Sequence, residues 1–406
     1  MGAGLNKTNV STATLLLVAV SICGIHFSNA VASMSLLAAI VTSIYPFKLN
    51  QQDFKSWAWL LAAFVFYQLV IEFFIHSHNS KAFIQNNLVK IPLLFSPLLF
   101  NIRSKEGLAE KIIMGISLFI SWTALASVFL YLNNKAFYDV MIAESKPLPL
   151  FSKVYHIEYS LLLSLSCLSM LYLGMKNRTL FRGKAQIGVA AVLILCLHVL
   201  SARTGLLAFY FGTLPLLFMS FKQTSLKVKL KTSITLIILI LFLIQVPSLK
   251  KRIINSKEDL STVLHGNSVN NKSFGQRWVA WNASIESIRK QPLHGYGKGN
   301  VKSTIDQNYL PQYESKIFAR NKVMPHNVYL ETMVQSGFLA GILYLLFFIT
   351  GIIYSLRAKK ALMTAILFAL MTASMFESIT ERQAGVIALI GFISLAGSLK
   401  TVEQKG

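Results

Sequence analysis

The chain has 406 residues, of which 54% are hydrophobic and 14% charged, and it carries a net charge of +23 at pH 7. This composition fits a multi-pass membrane protein better than a soluble globule. The basic residues are spread over short polar segments between apolar runs and form no RNA-binding or DNA-binding motif, so no nucleic acid partner is expected.

Twelve apolar runs approach the roughly 17 to 25 residues that a helix needs to cross a bilayer. They predict an all-α, polytopic protein with about twelve transmembrane helices, surrounded by membrane lipids. The predicted spans lie near residues 10–26, 29–46, 57–75, 86–101, 112–132, 156–175, 185–201, 204–221, 231–247, 327–356, 360–376 and 384–399. The fourth contains Lys90, Pro92 and Pro97, so a re-entrant segment is the alternative there.

The distribution of Lys and Arg predicts the orientation of these spans. With twelve spans and both ends inside, the inner segments hold nineteen Lys or Arg, and the short outer segments hold seven. This bias is typical of the cytoplasmic side. The first run follows a single Lys7 and lacks a signal-peptide cleavage site, so it is expected to be a retained helix. The cysteines, Cys23, Cys167 and Cys196, lie inside apolar runs, which argues against disulfides.

The chain is expected to have three parts. Residues 1–247 hold spans one to nine, and residues 326–406 hold spans ten to twelve. Residues 248–325 form a long polar loop between them, which is expected outside the membrane. The loop holds thirteen Lys or Arg and five acids, which favours an anionic partner. It is too long to be structureless in a compact protein. Apolar spacing from Trp278 to Ile288 predicts an amphipathic helix on the membrane face, ended by Pro292.

Ionisable residues near the outer helix ends are candidates for function, because leaving them in lipid is costly. These residues are His156, Glu158, Arg203, Glu331, Glu377, Glu381 and Arg382. Helix capping or ion pairing within the membrane is the alternative for those around His156 and Arg382. Glu331 follows His326 by five residues, so the spacing allows a hydrogen bond between the two side chains without requiring it.

The run from His326 to Leu356 is predicted to be one helix. Its 31 residues would span about 46 Å, whereas the hydrocarbon core is only about 30 Å thick. If the basic residues after Leu356 fix the inner end, His326 lies near the outer headgroups. The alternative is that Pro325-His326-Asn327 only starts the helix, with Asn327 as its N-cap.

Two arginines suit a diphosphate, because the planar guanidinium donates paired hydrogen bonds. Arg203 lies in the tight turn Ser201-Ala202-Arg203-Thr204-Gly205, and Arg277 opens the predicted surface helix. An interfacial anchor and an ordinary solvated charge are the respective alternatives.

The sequence contains no other recognisable catalytic or ligand-binding motif. The segment Leu293-His294-Gly295-Tyr296-Gly297-Lys298-Gly299 lacks the features of a phosphate-binding loop and is interpreted as a turn-rich structural segment. There is no Asp-x-Asp, zinc-ligand spacing or serine nucleophile elbow. No cofactor and no metal are therefore expected.

Several motifs together resemble the O-antigen ligase and O-antigen polymerase family. They occur in this order: Leu200-Ser201-Ala202-Arg203-Thr204-Gly205, Gly275-Gln276-Arg277-Trp278, Pro292-Leu293-His294-Gly295-Tyr296-Gly297, Pro325-His326-Asn327-Val328-Tyr329-Leu330 and Gln335-Ser336-Gly337-Phe338-Leu339-Ala340-Gly341. The resemblance covers about residues 195–345. It departs from the family at Ala202, which separates the serine and arginine of the Ser-Arg turn.

The resemblance implies a glycosyltransferase of the GT-C type in the bacterial inner membrane, acting at the periplasmic face on a glycan carried by undecaprenyl diphosphate. It implies that His326, Arg203 and Arg277 match essential residues of the family. The predicted site thus has His326 as the catalytic base, with Arg203, Arg277, Asn327, Arg382, Glu331 and His156 binding substrate. The acceptor is most simply the lipid A core of a ligase, and the alternatives are another lipid-linked glycan or a protein hydroxyl.

Two readings from other functional classes stay open at this stage. A transporter or flippase would line a conduit with the outer ionisable residues. However, these charges cluster on one face, and no paired broken helices are evident near the midplane. The other function that stays open is that of a non-catalytic scaffold for the assembly of envelope glycans.

Overall fold

The computed structural model describes residues 7–44, 56–76, 80–102, 104–105, 107–143, 146–177, 181–200, 202–221, 247–265, 267–270, 272–309, 317 and 323–399. These ranges are helical and contain no β-strand, as the sequence predicts. The helices are α1 (Lys7–Gly24), α2 (Asn29–Ile44), α3 (Ser56–Ile71), α4 (Ser80–Asn87), α5 (Ile91–Leu94), α6 (Ser96–Phe100), α7 (Leu108–Asn133), α8 (Lys135–Ala143), α9 (His156–Lys176), α10 (Arg182–Leu200), α11 (Arg203–Phe221), α12 (Pro247–Leu264), α13 (Ser273–Lys290), α14 (Val301–Gln307), α15 (Val328–Ser336), α16 (Phe338–Arg357), α17 (Ala361–Phe376) and α18 (Gln383–Ser398).

Nine of the predicted spans correspond closely to single helices, namely α1, α2, α3, α7, α9, α10, α11, α17 and α18. Among the described residues, five helices are long and apolar enough to cross a membrane, namely Trp57–Ile75, Leu108–Asn133, His156–Lys176, Arg182–Leu200 and Phe338–Arg357. Five further apolar helices are shorter. The predicted ninth span lies almost wholly outside the described residues, so the count of twelve stays a prediction.

The predicted fourth span is not one helix. It breaks into the end of α4, a turn over residues 88–90, and the short helices α5 and α6. Pro92 and Pro97 lie in the first turns of α5 and α6, where a residue without an N–H is tolerated. Lys90, which stood out as a charge inside an apolar run, is fully buried within the protein.

The predicted tenth span is also wrong as a single helix, because it divides at Gly337 into α15 and α16. Gly337 has φ +84° and ψ 170°, a conformation that is essentially restricted to glycine. The Phe338 N–H donates to the carbonyl of Pro292 at 2.8 Å, so the chain after α13 enters the break. A Cβ on Gly337 would lie 2.0 Å from the Leu293 carbonyl oxygen.

The glycine-rich segment 292–297 thereby caps the C-terminal end of α15. The Tyr296 and Gly297 N–H groups donate to the carbonyls of Val334 and Gln335, each at 2.9 Å. These are carbonyls that a helix end leaves without an intrahelical partner. The interpretation of this segment as structural is confirmed.

Helix α9 lies at the centre of the apolar core. Most of its residues are buried, and it packs against α7, α10, α11, α17 and α18. Its serines permit close contact, because small side chains let helix backbones approach each other. The Ser164 hydroxyl donates to the Gly205 carbonyl at 2.6 Å, and a Cβ on Gly205 would lie 2.5 Å from Ser160. This contact fixes the start of α11, and Arg203 with it.

The described part of the long loop, residues 248–265, 267–270, 272–309, 317 and 323–325, is folded, as the length of the loop predicts. Helix α13 confirms a helix over the predicted range, and it ends at Lys290, just before Pro292. Its place on the membrane face stays a prediction. One face of α13 packs with α14 and α15 in a second apolar core formed by Val269, Val279, Ala283, Val301, Ile305, Tyr309, Ile317 and Val334. The loop is therefore attached to the same helix that follows His326.

We expect Gly337→Ala to lower the free energy of unfolding by at least about 1–3 kcal/mol, because alanine is strained at this φ and its Cβ meets the Leu293 carbonyl. Thermal unfolding of the purified protein in detergent measures the change. Gly115→Ala is the matched control, since a Cβ there meets no atom within 4 Å. Equal melting of the two variants would contradict the described break between α15 and α16.

Candidate functional site

His326 lies between two backbone anchors just before α15. The Trp281 indole N–H donates to the Pro325 carbonyl at 2.6 Å, and the Asn327 side chain accepts the Leu330 N–H at 3.1 Å. Between them, His326 has φ +47°, which is uncommon outside glycine. Such strain persists only where the surroundings impose it, and it clusters at functional sites.

The partner of the His326 ring is Glu377. The two side chains meet at 2.9 Å between Nδ1 and Oε1. Glu377 directly follows α17 and is almost completely buried, whereas 26% of the His326 side chain is exposed. The hydrogen bond that the sequence allowed between His326 and Glu331 is thus replaced by one to a residue 51 positions away.

Three cationic or potentially cationic groups surround the Glu377 carboxyl. Burial raises its pKa, but the hydrogen bond from His326 and the charges of His326, Arg277 and Arg382 outweigh burial and hold the pKa below its ordinary value. Glu377 is therefore an ionised carboxylate near neutral pH. A buried carboxylate of this kind requires such partners.

Arg277 belongs to α13, and its side chain reaches the end of α17. Its guanidinium donates to the Phe376 carbonyl at 3.1 Å and lies 3.6 Å from Glu377 Oε2. Burial lowers the pKa of Arg277, and the negative charge of Glu377 opposes this shift. With 20% of its side chain exposed, Arg277 is not an ordinary solvated charge.

Arg203 is the first residue of α11, and its guanidinium lies 4.0 Å from Asp259 Oδ2. It is close enough to Arg277 for the two positive charges to repel. The Arg203 Nε atom is buried and has no hydrogen-bond partner among the described residues. Two guanidinium groups this close to each other are suited to an anion that accepts several hydrogen bonds.

Arg382 lies on another side of Glu377, just before α18. Its Nε atom is 3.0 Å from Glu158 Oε1, and its guanidinium stacks over the ring of Tyr155 at 4.5 Å. Because 41% of the Arg382 side chain is exposed, this group can also reach a ligand. The ion pair with Glu158 matches the structural alternative that the sequence left open for both residues.

The remaining predicted site residues have other partners than the His326 side chain. Asn327 caps α15, as its alternative interpretation predicts. Glu331 is buried and accepts a hydrogen bond from the Ser378 hydroxyl. His156 contacts the Tyr155 ring and lines a small pocket beside Ala202, behind the Arg203 turn.

The sequence did not predict that Glu377 is the partner of His326. Glu377 was grouped with the other ionisable residues at outer helix ends, but no spacing linked it to His326. The available signal was its position after a long apolar helix, where an unpaired carboxylate would be costly. Asp259 gave no signal, since one acid in a basic loop is unremarkable. No group of three or more metal-ligating side chains converges within the described part of the chain.

Comparison with protein families supplies an independent observation. Residues 188–345 match the O-antigen ligase family. The matched range includes Arg203, Arg277 and His326, and it confirms the resemblance of the motifs to O-antigen ligases and polymerases. Members of that family are membrane glycosyltransferases, and the apolar helices of this chain fit a membrane protein. No curated protein in the comparison matches the chain.

If the two arginines bind a diphosphate through paired hydrogen bonds, Arg203→Lys should weaken binding of undecaprenyl diphosphate about tenfold or more, although the charge is kept. Fluorescence competition or calorimetry in detergent measures the affinity. Lys257→Ala is the control, since it removes an exposed charge of the same loop region and should leave binding unchanged. Unchanged affinity in Arg203→Lys would reduce Arg203 to an interfacial anchor.

Proposed function

Because residues 188–345 match the O-antigen ligase family, we propose that the chain transfers a glycan from undecaprenyl diphosphate to a hydroxyl of the lipid A core. The reaction takes place at the periplasmic face of the bacterial inner membrane and needs no metal. The observation that carries this proposal is the contact between His326 and the ionised Glu377, beside Arg277 and Arg203.

His326 acts as the general base. Because an ionised carboxylate can only accept a hydrogen bond, Nδ1 carries the proton in the contact with Glu377. In the neutral imidazole, Nε2 is then the acceptor, and it takes the proton of the attacking hydroxyl. As the ring becomes an imidazolium, Glu377 stabilises the new positive charge. A carboxylate that orients a histidine in this way also fixes its tautomer.

The two arginines stabilise the leaving group. The acceptor oxygen forms a bond to the anomeric carbon while the bond from that carbon to the diphosphate oxygen breaks, so negative charge develops on the diphosphate. Fixed guanidinium groups stabilise such charge without rearranging during the reaction. The Arg203 guanidinium is accessible for this purpose, because 30% of the side chain is exposed. A single displacement of this kind inverts the anomeric centre.

The polar site adjoins surfaces suited to a lipid donor. Arg203 begins the apolar helix α11, and Glu377 follows the apolar helix α17. A lipid-linked substrate can therefore place its diphosphate at the helix ends and its chain along apolar side chains. Arg382, with its stacked Tyr155, provides a further polar wall on which a sugar can be held.

The acceptor is tested directly with the purified protein in detergent and a labelled undecaprenyl diphosphate glycan. We expect label to move to lipid A core, with an inverted anomeric linkage, and to do so in EDTA. Elongation of the lipid-linked glycan instead would identify a polymerase, and labelling of protein hydroxyls would identify an O-oligosaccharyltransferase. No transfer to any acceptor, together with movement of the donor across vesicles, would indicate a transporter.

The role of His326 is tested by single-turnover transfer across a pH range. His326→Ala should lower the rate by about 100 to 10,000-fold while donor binding is kept, since a general base contributes that much. The wild-type rate should fall as pH decreases, because the base becomes protonated. Glu377→Gln should also lower the transfer rate, because the His326 ring then loses the carboxylate that holds its Nδ1 proton. Full transfer by His326→Ala would show that the base lies elsewhere.

A further inference from the structure

A second ionic cluster, formed by Lys90, Glu381 and Lys298, lies in the part of the protein that the proposed reaction does not use. The ammonium of Lys90 is fully buried. It forms an ion pair with Glu381 Oε1 and donates to Gln335 and Gln68 at 3.0 and 3.2 Å. These three acceptors match the three N–H donors of a lysine ammonium.

The other oxygen of Glu381 is held from a different direction. Lys298 Nζ lies 2.6 Å from Glu381 Oε2, and the Lys298 backbone N–H donates to Glu72 Oε2 at 2.9 Å. Burial raises the pKa of Glu381, but Lys90 and Lys298 outweigh burial and keep this pKa below its ordinary value. Each carboxylate oxygen of Glu381 thus has its own cation. The cations come from the turn before α5 and from the loop that precedes α14.

Burying the charges of Lys90 and Glu381 is costly, and a buried ion pair often gives no more stability than apolar residues of the same size. Stability alone therefore does not account for the cluster. Its position offers another explanation. Glu381 belongs to the short connection of residues 377–382 between α17 and α18, which also carries Glu377 and Arg382.

The connection is held at three points by side chains from other parts of the chain. At its start, Glu377 bonds to His326, and the Ser378 hydroxyl donates to Glu331. At its end, Arg382 pairs with Glu158. Glu381 is the only one of these anchors that is fixed by two lysines. Catalytic groups have to be held within about 0.5 Å of their productive positions, and short connections need support to achieve this.

We propose that Lys90, Lys298 and Glu381 are positioning residues, which fix the connection 377–382 so that Glu377 stays in contact with His326. This inference rests on the proposed function, because it assigns His326 as the base that Glu377 orients. The cluster also links the site to the loop 292–300, whose backbone bonds to α15.

The test uses the double variant Lys90→Gln/Glu381→Gln, which removes both buried charges and keeps groups able to hydrogen bond. A single substitution would leave one buried charge with a missing partner and could fail to fold. We expect the double variant to melt near the wild-type temperature and to bind undecaprenyl diphosphate normally. Its single-turnover transfer should fall about 10 to 100-fold, as is usual when a supporting partner is lost.

Two readouts separate positioning from a general loss of structure. First, the loss should appear in the rate of the transfer step, as in Glu377→Gln, while the affinity for undecaprenyl diphosphate stays unchanged. Second, adding the double variant to Glu377→Gln should change the rate less than about threefold, since the contact is already lost. The proposal would be overturned if the rate losses of the double variant and of Glu377→Gln multiplied when combined. Full transfer by the folded double variant would overturn it as well.

A matched control and an independent readout complete the experiment. Lys302→Gln/Asp306→Gln removes an exposed ion pair of α14, with 2.5 Å between its charged atoms, and should leave transfer unchanged. Nitrogen NMR of ¹⁵N-histidine-labelled protein, assigned with His326→Ala, follows the Nδ1 hydrogen bond without any substrate. If wild-type protein transfers no glycan, the proposed function fails, whereas an unchanged His326 signal in the double variant removes the positioning role alone.

Discussion

The buried carboxylate of Glu377 is the group on which the site depends. It receives the His326 ring, lies 3.6 Å from the Arg277 guanidinium, and is attracted by Arg382. These partners come from the start of α15, from α13 and from the residue before α18. One anion thereby brings the folded loop and the two C-terminal apolar helices to a common point. Without it, the cations gathered there would repel each other.

The break at Gly337 has a related function in the fold. Because residues 292–297 enter between α15 and α16, the loop is bonded through its backbone to the helix that begins two residues after His326. Trp281 on α13 fixes the residue before His326 from the other side. The histidine is thus placed by two parts of one loop, and the apolar bundle supplies its acidic partner.

Much of this arrangement could be predicted from local sequence. Apolar runs gave nearly all the long helices, and Asn327 was recognisable as an N-cap because it precedes a helical pattern. Arg203, Arg277 and His326 were found through their motifs. The two helix breaks were harder. Pro92 and Pro97 gave a warning for the fourth span. Gly337 gave none, because the Leu293 carbonyl that requires a glycine there lies 44 residues earlier in the chain. The pairing of His326 with Glu377, and of Lys90 with Glu381, depends on tertiary contacts that no spacing encodes.

The left-handed backbone of His326 has a consequence for how the protein responds to selection. A histidine at φ +47° is strained by about 1–3 kcal/mol, and this strain is already present in the folded chain before any substrate arrives. Glycine or asparagine at the same position would relax it. Replacements that abolish the base can therefore give a more stable and more abundant protein, so a screen for expression or thermal stability would enrich inactive chains at this position.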